Sequence, residues 1–188
     1  MPHKLTTPLA VATALTALLA APAHAADYVQ AAGSTLAFAS KYDGEAFAGT
    51  FPGFSTTLSF DPANLAASKL DVTIPLAGAK TGNADRDSTL QEADFFNVAR
   101  FAQARYTATK FRSLGGSRYA ADGTLSLRGV SKPVTLTFTW TPGAKPVLVG
   151  KATVKRLDFG VGGGDWADTG TIPDDVAIST KVVLQPQG

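Results

Sequence analysis

The chain has 188 residues and a formal net charge of +2, and its 45% hydrophobic and 17% charged residues suit a globular fold with a buried core. No run of Lys or Arg could neutralise a row of phosphates, so a nucleic-acid partner is not expected. Both histidines and the only methionine lie in the first 25 residues and cysteine is absent, which excludes from the remainder a Ser-His-Asp triad, a Cys nucleophile, a His or Cys zinc site, and haem ligation by His or Met.

Residues 1–25 have the layout of a cleavable secretory signal peptide. Lys4 precedes an apolar stretch at 9–19, and Ala23-His24-Ala25 provides a small-x-small cleavage site. The apolar stretch is too short to span a bilayer, which is roughly 30 Å of hydrocarbon. The sequence therefore predicts a single mature domain at 26–188, exported to the periplasm of a Gram-negative cell.

Apolar residues after position 26 recur with a period of two, which is typical of half-buried strands. The clearest case is 134–140, where Val, Leu, Phe and Trp alternate with three threonines. The strands predicted from this pattern cover residues 36–40, 46–51, 54–60, 70–76, 104–111, 118–127, 134–140, 147–157 and 176–184. Turn signals rich in Gly and Pro separate them. The pattern favours an all-β fold, a closed antiparallel barrel of about eight strands, because closure removes exposed strand edges.

Residues 81–101 interrupt the alternation. This polar stretch predicts one or two short helices at about 85–100, with Asp85 or Asp87 as the N-cap. Its apolar residues are Leu90 and then the pair Phe95 and Phe96. We expect this segment to bridge two strands.

Alternation alone does not say which face points inward. An outer-membrane barrel would carry aromatic girdles at its strand ends. Here the aromatic residues also lie in the middle of strands, so the apolar face is predicted to point inward. A barrel of this size either fills with side chains or holds one small ligand, and an apolar interior would accept hydrocarbon.

Carboxylates cluster in the predicted helical segment, where Asp85, Asp87 and Glu92 lie close to Arg86. Paired carboxylates can perform general acid-base chemistry, which gives one hypothesis, an enzyme acting on an apolar substrate. The favoured interpretation is structural, with the acids as helix caps and Arg86 fixing the loop through an ion pair. No catalytic residue is predicted.

A second cluster, at 160–169, joins glycines to Asp165 and Asp168 around Trp166. Oxygen ligands suit calcium, but no EF-hand spacing is present and a flexible loop is favoured, so no metal site is predicted. Trp166 is placed to cap the barrel mouth.

Five segments, in their order along the chain, resemble the YceI-like polyisoprenoid-binding family. They are GTFPGF at 49–54, FDPANLAASKLDVTI at 60–74, TGNADRDSTLQEADFFNVARF at 81–101, GTLSLRGVSKPVTLTF at 123–138 and RLDFGVG at 156–162. The resemblance runs over nearly all of 27–184. It implies a lipocalin-like barrel, exported to the periplasm, with a long apolar tunnel for an isoprenoid chain such as a quinone tail.

The resemblance also extends to individual positions. Phe95 and Phe96 match the family's aromatic pair near the tunnel, and Arg86 and Asp87 match an Arg-Asp pair that we interpret as structural. Many members have a histidine in the first hairpin, where this chain reads SKYDG at 40–44. The ending of GGGDWADT at 162–169 is similar to a compact branch that also occurs fused to b-type membrane cytochromes.

The leading hypothesis is a non-catalytic carrier that encloses an isoprenoid quinone or polyprenyl lipid, without a covalent cofactor. A filled barrel that docks to a membrane b-type cytochrome is a further alternative, and a homodimer is left open. The residues predicted to contact the ligand, from alternation and from the resemblance, are Phe38, Phe51, Leu58, Phe60, Val72, Ile74, Phe95, Phe96, Phe111, Leu125, Leu136, Phe138, Trp140 and Trp166.

Overall fold

The structure is a computed structural model that describes residues 25–187, so the predicted signal peptide lies almost wholly outside the described residues. These residues form ten strands and one α-helix. Their bounds are β1 Ala26–Gln30, β2 Thr35–Tyr42, β3 Glu45–Thr50, β4 Ser55–Phe60, β5 Lys69–Pro75, α1 Ala84–Gln91, β6 Gln103–Gly115, β7 Arg118–Leu127, β8 Val130–Thr141, β9 Val147–Lys155 and β10 Asp175–Pro186. Short 3-10 turns occupy Leu65–Ala67, Arg156–Phe159 and Gly164–Trp166.

All strand pairs are antiparallel, and the sheet closes on itself. The order is β1-β4-β5-β6-β7-β8-β9-β10, and β10 returns to pair with β1. The hairpin of β2 and β3 extends this ring, because β2 also pairs with β10 and β3 pairs with β2. The result is a closed eight-stranded antiparallel barrel, which confirms the predicted fold class.

Two of the eight strand positions of the barrel are each occupied by two consecutive strands with a break between them. β1 and β2 lie end to end along β10, and β4 and β3 lie end to end along them. The first break contains Gly33, with a φ of +89°, and there the Ser34 hydroxyl accepts from the N–H of Val183 at 3.0 Å. The second break is the turn at Pro52 and Gly53, where Gly53 has a φ of +78°. Glycine tolerates these left-handed conformations without strain.

The core lies inside the barrel, as the alternation predicts. On β8, Leu136, Phe138 and Trp140 are buried, and the threonines between them are exposed. The strand that prediction missed is β1, ADYVQ. Its inward positions are Tyr28 and Gln30, and a single inward aromatic residue produces no recognisable alternation.

Helix α1 is shorter than expected and starts differently. Its N-cap is Asn83, whose side chain accepts from the N–H of Arg86 at 2.9 Å, so the prediction of Asp85 or Asp87 as the cap is wrong. The helix ends at Gln91, and residues 92–101 form turns. These turns bring Phe95 and Phe96 into the core. Within residues 25–187, no helix has the length and apolar character needed to cross a membrane.

Candidate functional site

One end of the barrel encloses a cavity of about 470 Å³. This volume is within the range of about 300–1,000 Å³ that is typical of small-molecule sites. The cavity reaches the protein surface, because Tyr42, which is 45% exposed, and Asp85 are among its lining residues. α1 and the segment 156–174 contribute further lining residues at this end, which we call the mouth.

Nine of the residues predicted to contact a ligand line this cavity. They are Phe38, Phe51, Val72, Ile74, Phe95, Phe96, Leu125, Leu136 and Trp166. Phe38 packs on Phe51 with ring centroids 5.0 Å apart, and Phe51 packs on Phe96 at 5.9 Å. Strand β2, the turn after β3 and the segment that follows α1 therefore contribute adjacent aromatic rings to one part of the cavity wall.

The other five predicted residues, Leu58, Phe60, Phe111, Phe138 and Trp140, do not line the cavity. Four of them form an aromatic plug at the far end of the barrel, together with two tyrosines. The members of this aromatic plug are Tyr28, Phe60, Phe111, Tyr119, Phe138 and Trp140. Phe60 is at its centre, with its ring centroid 4.9 Å from that of Trp140 and 5.1 Å from that of Tyr119. The plug closes that end of the interior.

The set of predicted ligand contacts did not include much of the cavity wall. The further apolar lining residues include Leu36, Phe47, Phe54, Leu70, Leu76, Leu90, Leu127, Val134, Leu148, Val154, Val161, Ile172, Val176, Ile178 and Val182. Those on β9 and β10 follow the same period-two alternation, which is visible in the sequence. Val161 and Ile172 lie in the segment between these strands, and no periodic pattern marks them.

Tyr106 on β6 brings a polar atom to the wall. Its hydroxyl lies 2.8 Å from the carbonyl oxygen of Ala121 and 3.0 Å from that of Val134, so its proton is held by the neighbouring strands. Burial raises the pKa of Tyr106 to about 12. This hydroxyl stays neutral, and its hydrogen-bond donor is used by backbone carbonyl oxygens.

Arg156 is buried in the wall, with 4% of its surface exposed, and has no carboxylate within salt-bridge distance in residues 25–187. Its guanidinium donates to five backbone carbonyls, those of Val161, Gly162, Trp166, Ile172 and Pro173. Burial lowers the pKa of Arg156, although it remains a cation. The side chain therefore fixes the segment 156–174 against the barrel.

Two hydroxyls in the lining lack a partner. The Ser40 Oγ and the Thr56 Oγ1 are both buried and have no hydrogen bond within the described residues. Thr56 is the residue of β4 that lines the cavity, and it is 3% exposed. A buried hydroxyl without a partner costs about 1–3 kcal/mol.

The predicted carboxylates do not converge on the cavity. Asp85 lines the mouth, whereas Asp87 and Glu92 do not. The Asp87 carboxylate accepts from the N–H of Thr81 at 2.7 Å and from its hydroxyl at 2.6 Å, and these bonds lower the pKa of Asp87. Arg86 makes no ion pair with a described carboxylate; its guanidinium lies 4.3 Å from the ring centroid of Phe47.

Trp166 lies at the mouth. Its ring packs edge-on against Phe95 with centroids 5.4 Å apart, and it is half-buried. The segment that Arg156 fixes therefore contributes one aromatic side chain to the cavity rim. Within residues 25–187, no group of three or more His, Cys, Asp or Glu side chains is arranged to hold a metal ion.

Curated relatives match most of the chain. A UPF0312 protein of Pseudomonas savastanoi pv. phaseolicola is 34% identical over 166 residues, which cover 82% of this chain and 85% of the relative. Protein YceI of Escherichia coli O157:H7 is 44% identical over 88 residues, or 47% of this chain and 46% of the relative.

Solved structures show the same fold. BcnA of Burkholderia cenocepacia matches with a TM-score of 0.79 and 30% identity, over 82% of this chain and 98% of that one. A polyisoprenoid binding domain from Saccharophagus degradans, implicated in plant cell wall breakdown, matches with a TM-score of 0.66 over 87% of this chain and 100% of that one. At 17% identity, the second match concerns the fold alone. The model of the YceI-like domain matches residues 28–184, and the chain therefore belongs to the YceI-like family.

Proposed function

We propose that this protein is a non-catalytic carrier that holds the tail of an isoprenoid lipid inside its barrel. The observation that carries this proposal is the cavity, which is lined by residues of all strands from β2 to β10 and of α1 and which reaches the surface at the mouth. A filled structural barrel would leave no such space.

The chemistry of the wall favours hydrocarbon. Apart from a few polar groups at the mouth and the two unpaired hydroxyls, the lining is aliphatic and aromatic, and the buried Tyr106 and Arg156 are bonded to the backbone. Burial of each CH₂ group contributes about 0.8 kcal/mol, and a polar chain would lose its hydration without gaining hydrogen bonds. A long apolar tail is the ligand that such a wall accepts.

The carboxylate arrangement supports binding over catalysis. General acid-base chemistry on a buried substrate needs two groups within reach of the reacting atoms. Only Asp85 of the predicted set reaches the cavity, whereas the Asp87 carboxylate is engaged by two hydrogen bonds from Thr81, which lower its pKa.

The isoprenoid identity of the tail draws on the family. The Saccharophagus neighbour is described as a polyisoprenoid binding domain, and it has the same fold as this chain. We extend that chemistry to this cavity and propose a prenylated quinone or polyprenyl lipid as the ligand.

Export belongs to the same proposal, because a periplasmic carrier needs a leader such as residues 1–25. The mature protein begins at Ala26, so the intact mass of protein from a periplasmic extract will lack the first 25 residues. Periplasmic protein that retains them would contradict the assignment.

The decisive experiment is organic extraction of purified protein followed by mass spectrometry. Wild-type protein is expected to release a prenyl lipid in near-stoichiometric amount. In a Leu125→Trp variant the added ring lies in the cavity and reduces the amount released, whereas Val149→Trp, on the exposed face of β9, leaves it unchanged. A lipid-free wild-type protein that also fails to take up added prenyl lipids would overturn the proposal.

A further inference from the structure

A polar side chain lies near the end of the cavity that the aromatic plug closes. Thr56 lines the cavity from β4 and is 3% exposed. The next inward residue of this strand, Leu58, does not line the cavity, and it pairs with Tyr28, a member of the plug. Thr56 is therefore at the inner end of the cavity, away from the mouth.

A second polar side chain approaches the same point from β1. In the β1–β4 pair, Val29 lies opposite Thr57. The next residue toward the mouth is Gln30 on β1 and Thr56 on β4, and both are inward positions. The Gln30 side chain extends along β4, because its Nε2 donates to the carbonyl oxygen of Phe54 at 2.9 Å.

Both side chains keep an unused hydrogen-bonding atom. The Thr56 Oγ1 and the Gln30 Oε1 are buried and have no hydrogen-bond partner within the described residues. The amide orientation of Gln30 is fixed by its bond to Phe54, so the free atom is an acceptor. The Thr56 hydroxyl can donate and accept. Thr56 lines the cavity and Gln30 does not, so Thr56 provides the direct contact and Gln30 an acceptor beside it.

The surroundings of Thr56 offer these atoms nothing polar. Val72 of β5 lies opposite Thr56, and the inward residue that follows on β4 is Leu58. Most buried polar groups in proteins are hydrogen-bonded, because an unpaired one is destabilising. A valine would fill the position of Thr56 without that cost. The hydroxyl is thus better suited to a ligand than to the folding of the barrel.

The charges of the lining decide which polar group fits. The charged side chains of the lining are Asp85, Arg86 and Arg156, and these belong to α1 and to the segment 156–174 at the mouth. A charged group carried inward to Thr56 would lose its hydration without gaining a counter-ion. A neutral hydroxyl both donates and accepts, so it can pair with Thr56 and with the acceptor beside it.

We propose that Thr56 and Gln30 form an inner polar subsite, which hydrogen-bonds a hydroxyl group on the deepest end of a bound prenyl chain. This inference rests on the proposed function. It adds a ligand class to that function, namely isoprenoid chains that carry a hydroxyl on their terminal isoprene unit.

Two probes that differ only in this hydroxyl test the subsite. They are farnesyl acetate and ω-hydroxyfarnesyl acetate, and their affinities are measured on the mature protein by displacement of the apolar dye N-phenylnaphthylamine. Transfer of a hydroxyl from water into an apolar wall without a partner weakens binding by about tenfold or more. With the subsite, wild-type protein is expected to bind the two compounds with Kd values within about threefold of each other.

Three variants separate the contributions of the two side chains. Thr56→Val keeps the shape and removes the hydroxyl, so it is expected to raise the Kd of the ω-hydroxy compound about tenfold and that of farnesyl acetate less than about twofold. Thr56→Ser keeps the hydroxyl and limits the increase to about threefold. Gln30→Met removes the neighbouring acceptor and is expected to raise the Kd of the ω-hydroxy compound alone, by about threefold.

Thr180→Val is the matched control. The Thr180 hydroxyl also belongs to the lining, but it donates to the carbonyl oxygen of Thr35 at 2.9 Å. Its removal is expected to leave the ratio of the two Kd values unchanged. Melting curves show whether each variant is folded.

The subsite is wrong if wild-type protein binds the ω-hydroxy compound more than about tenfold more weakly than farnesyl acetate, since water would then be the better partner of these atoms. It is also wrong if Thr56→Val weakens both probes equally, or if Thr180→Val changes the ratio as much as Thr56→Val does. Failure of wild-type protein to bind farnesyl acetate at all would instead overturn the carrier function, on which the subsite depends.

Discussion

Gly49 on β3 lies directly opposite Phe38 on β2, and the Phe38 ring occupies the space that a side chain at position 49 would need. Gly49 is buried and has no left-handed φ, so the requirement for glycine here is one of space. The missing Cβ leaves room for the Phe38 ring beside β3.

Gly49→Ala is therefore expected to push the Phe38 ring into the cavity. Overpacking of this kind costs about 1–3 kcal/mol of unfolding free energy. The same variant reduces uptake of long-tailed lipids, because part of their space is taken. Urea denaturation and dye displacement measure the two effects. Gly44→Ala, at a hairpin tip with nothing within 4 Å, controls for substitution of a glycine in the same hairpin; its φ of +82° adds strain without filling the cavity.

Thr56→Val is expected to raise the free energy of unfolding by about 1 kcal/mol. The substitution keeps the shape of the side chain and removes a buried hydroxyl that has no partner in the described structure. Chemical denaturation of lipid-free protein measures the change. Thr180→Val is the matched control, since the Thr180 hydroxyl also belongs to the lining but donates to the carbonyl of Thr35 at 2.9 Å. Equal effects at both positions would contradict this account of Thr56.

Arg156→Met is expected to loosen the segment 156–174 and to lower stability by roughly 3 kcal/mol, because several carbonyls lose a charged donor at once. Faster hydrogen exchange confined to residues 157–174 is the signature of this role. Lys155→Met provides the comparison, since Lys155 is exposed and pairs only with Asp174 and Asp175 on the surface. A uniform loss of protection over the whole barrel would refute the assignment.

The bond between Asp87 and Thr81 predicts a stability change in acid. The pKa of folded Asp87 lies below its ordinary value of 3.8, so the ionised group stabilises the fold above that value and loses its effect as the pH falls through the lowered pKa. The difference in melting temperature between wild type and Asp87→Asn should be largest near neutral pH and should decrease below pH 3.8. Asp94→Asn, at an exposed position whose side chain makes no hydrogen bond within the described residues, serves as the control.

Affinity for prenylated quinones is expected to rise with tail length and then level off when the cavity is full. The rise is about 1 kcal/mol per isoprene unit, less than full burial would give, because the tail loses conformational freedom. Trp166 reports binding, since it lines the cavity, whereas Trp140 belongs to the aromatic plug. The measurement is quenching of tryptophan fluorescence by the bound ligand. Quenching that persists in Trp166→Phe and disappears in Trp140→Phe would contradict the location of the tail.

The sequence predicted the barrel because alternation is a local property. The threonines between Leu136, Phe138 and Trp140 are sufficient to assign β8 and its inward face. The depth at which a side chain lies along the barrel axis, in contrast, does not follow from its neighbours in the sequence. Leu136 lines the cavity and Phe138 belongs to the plug, although they are two residues apart on the same face. Their positions depend on strand register and on which side chains meet from opposite walls.

The remaining features depend on contacts that the sequence pattern does not contain. Arg156 binds only carbonyl oxygens, so no partner residue type could reveal it. Asn83, Asp85 and Asp87 are all of residue types that favour an N-cap position, and because the helix begins directly after Asn83, both aspartates lie in its first turn. Arg86 contacts the Phe47 ring because the fold brings α1 close to β3, and no local pattern indicates this contact between residues that are 39 positions apart.

The aromatic plug also determines the order of events when a ligand enters or leaves. In the proposed carrier, Phe60 and its neighbours close the far end, so a tail would enter through the mouth, and its inner tip would be the first part to enter and the last to leave. Under the proposed function, a protein or membrane that receives the lipid would have to approach the side of the barrel where Tyr42 and Trp166 lie. The opposite side, with the loops around Gly116 and Gly143, can be altered without obstructing the transfer.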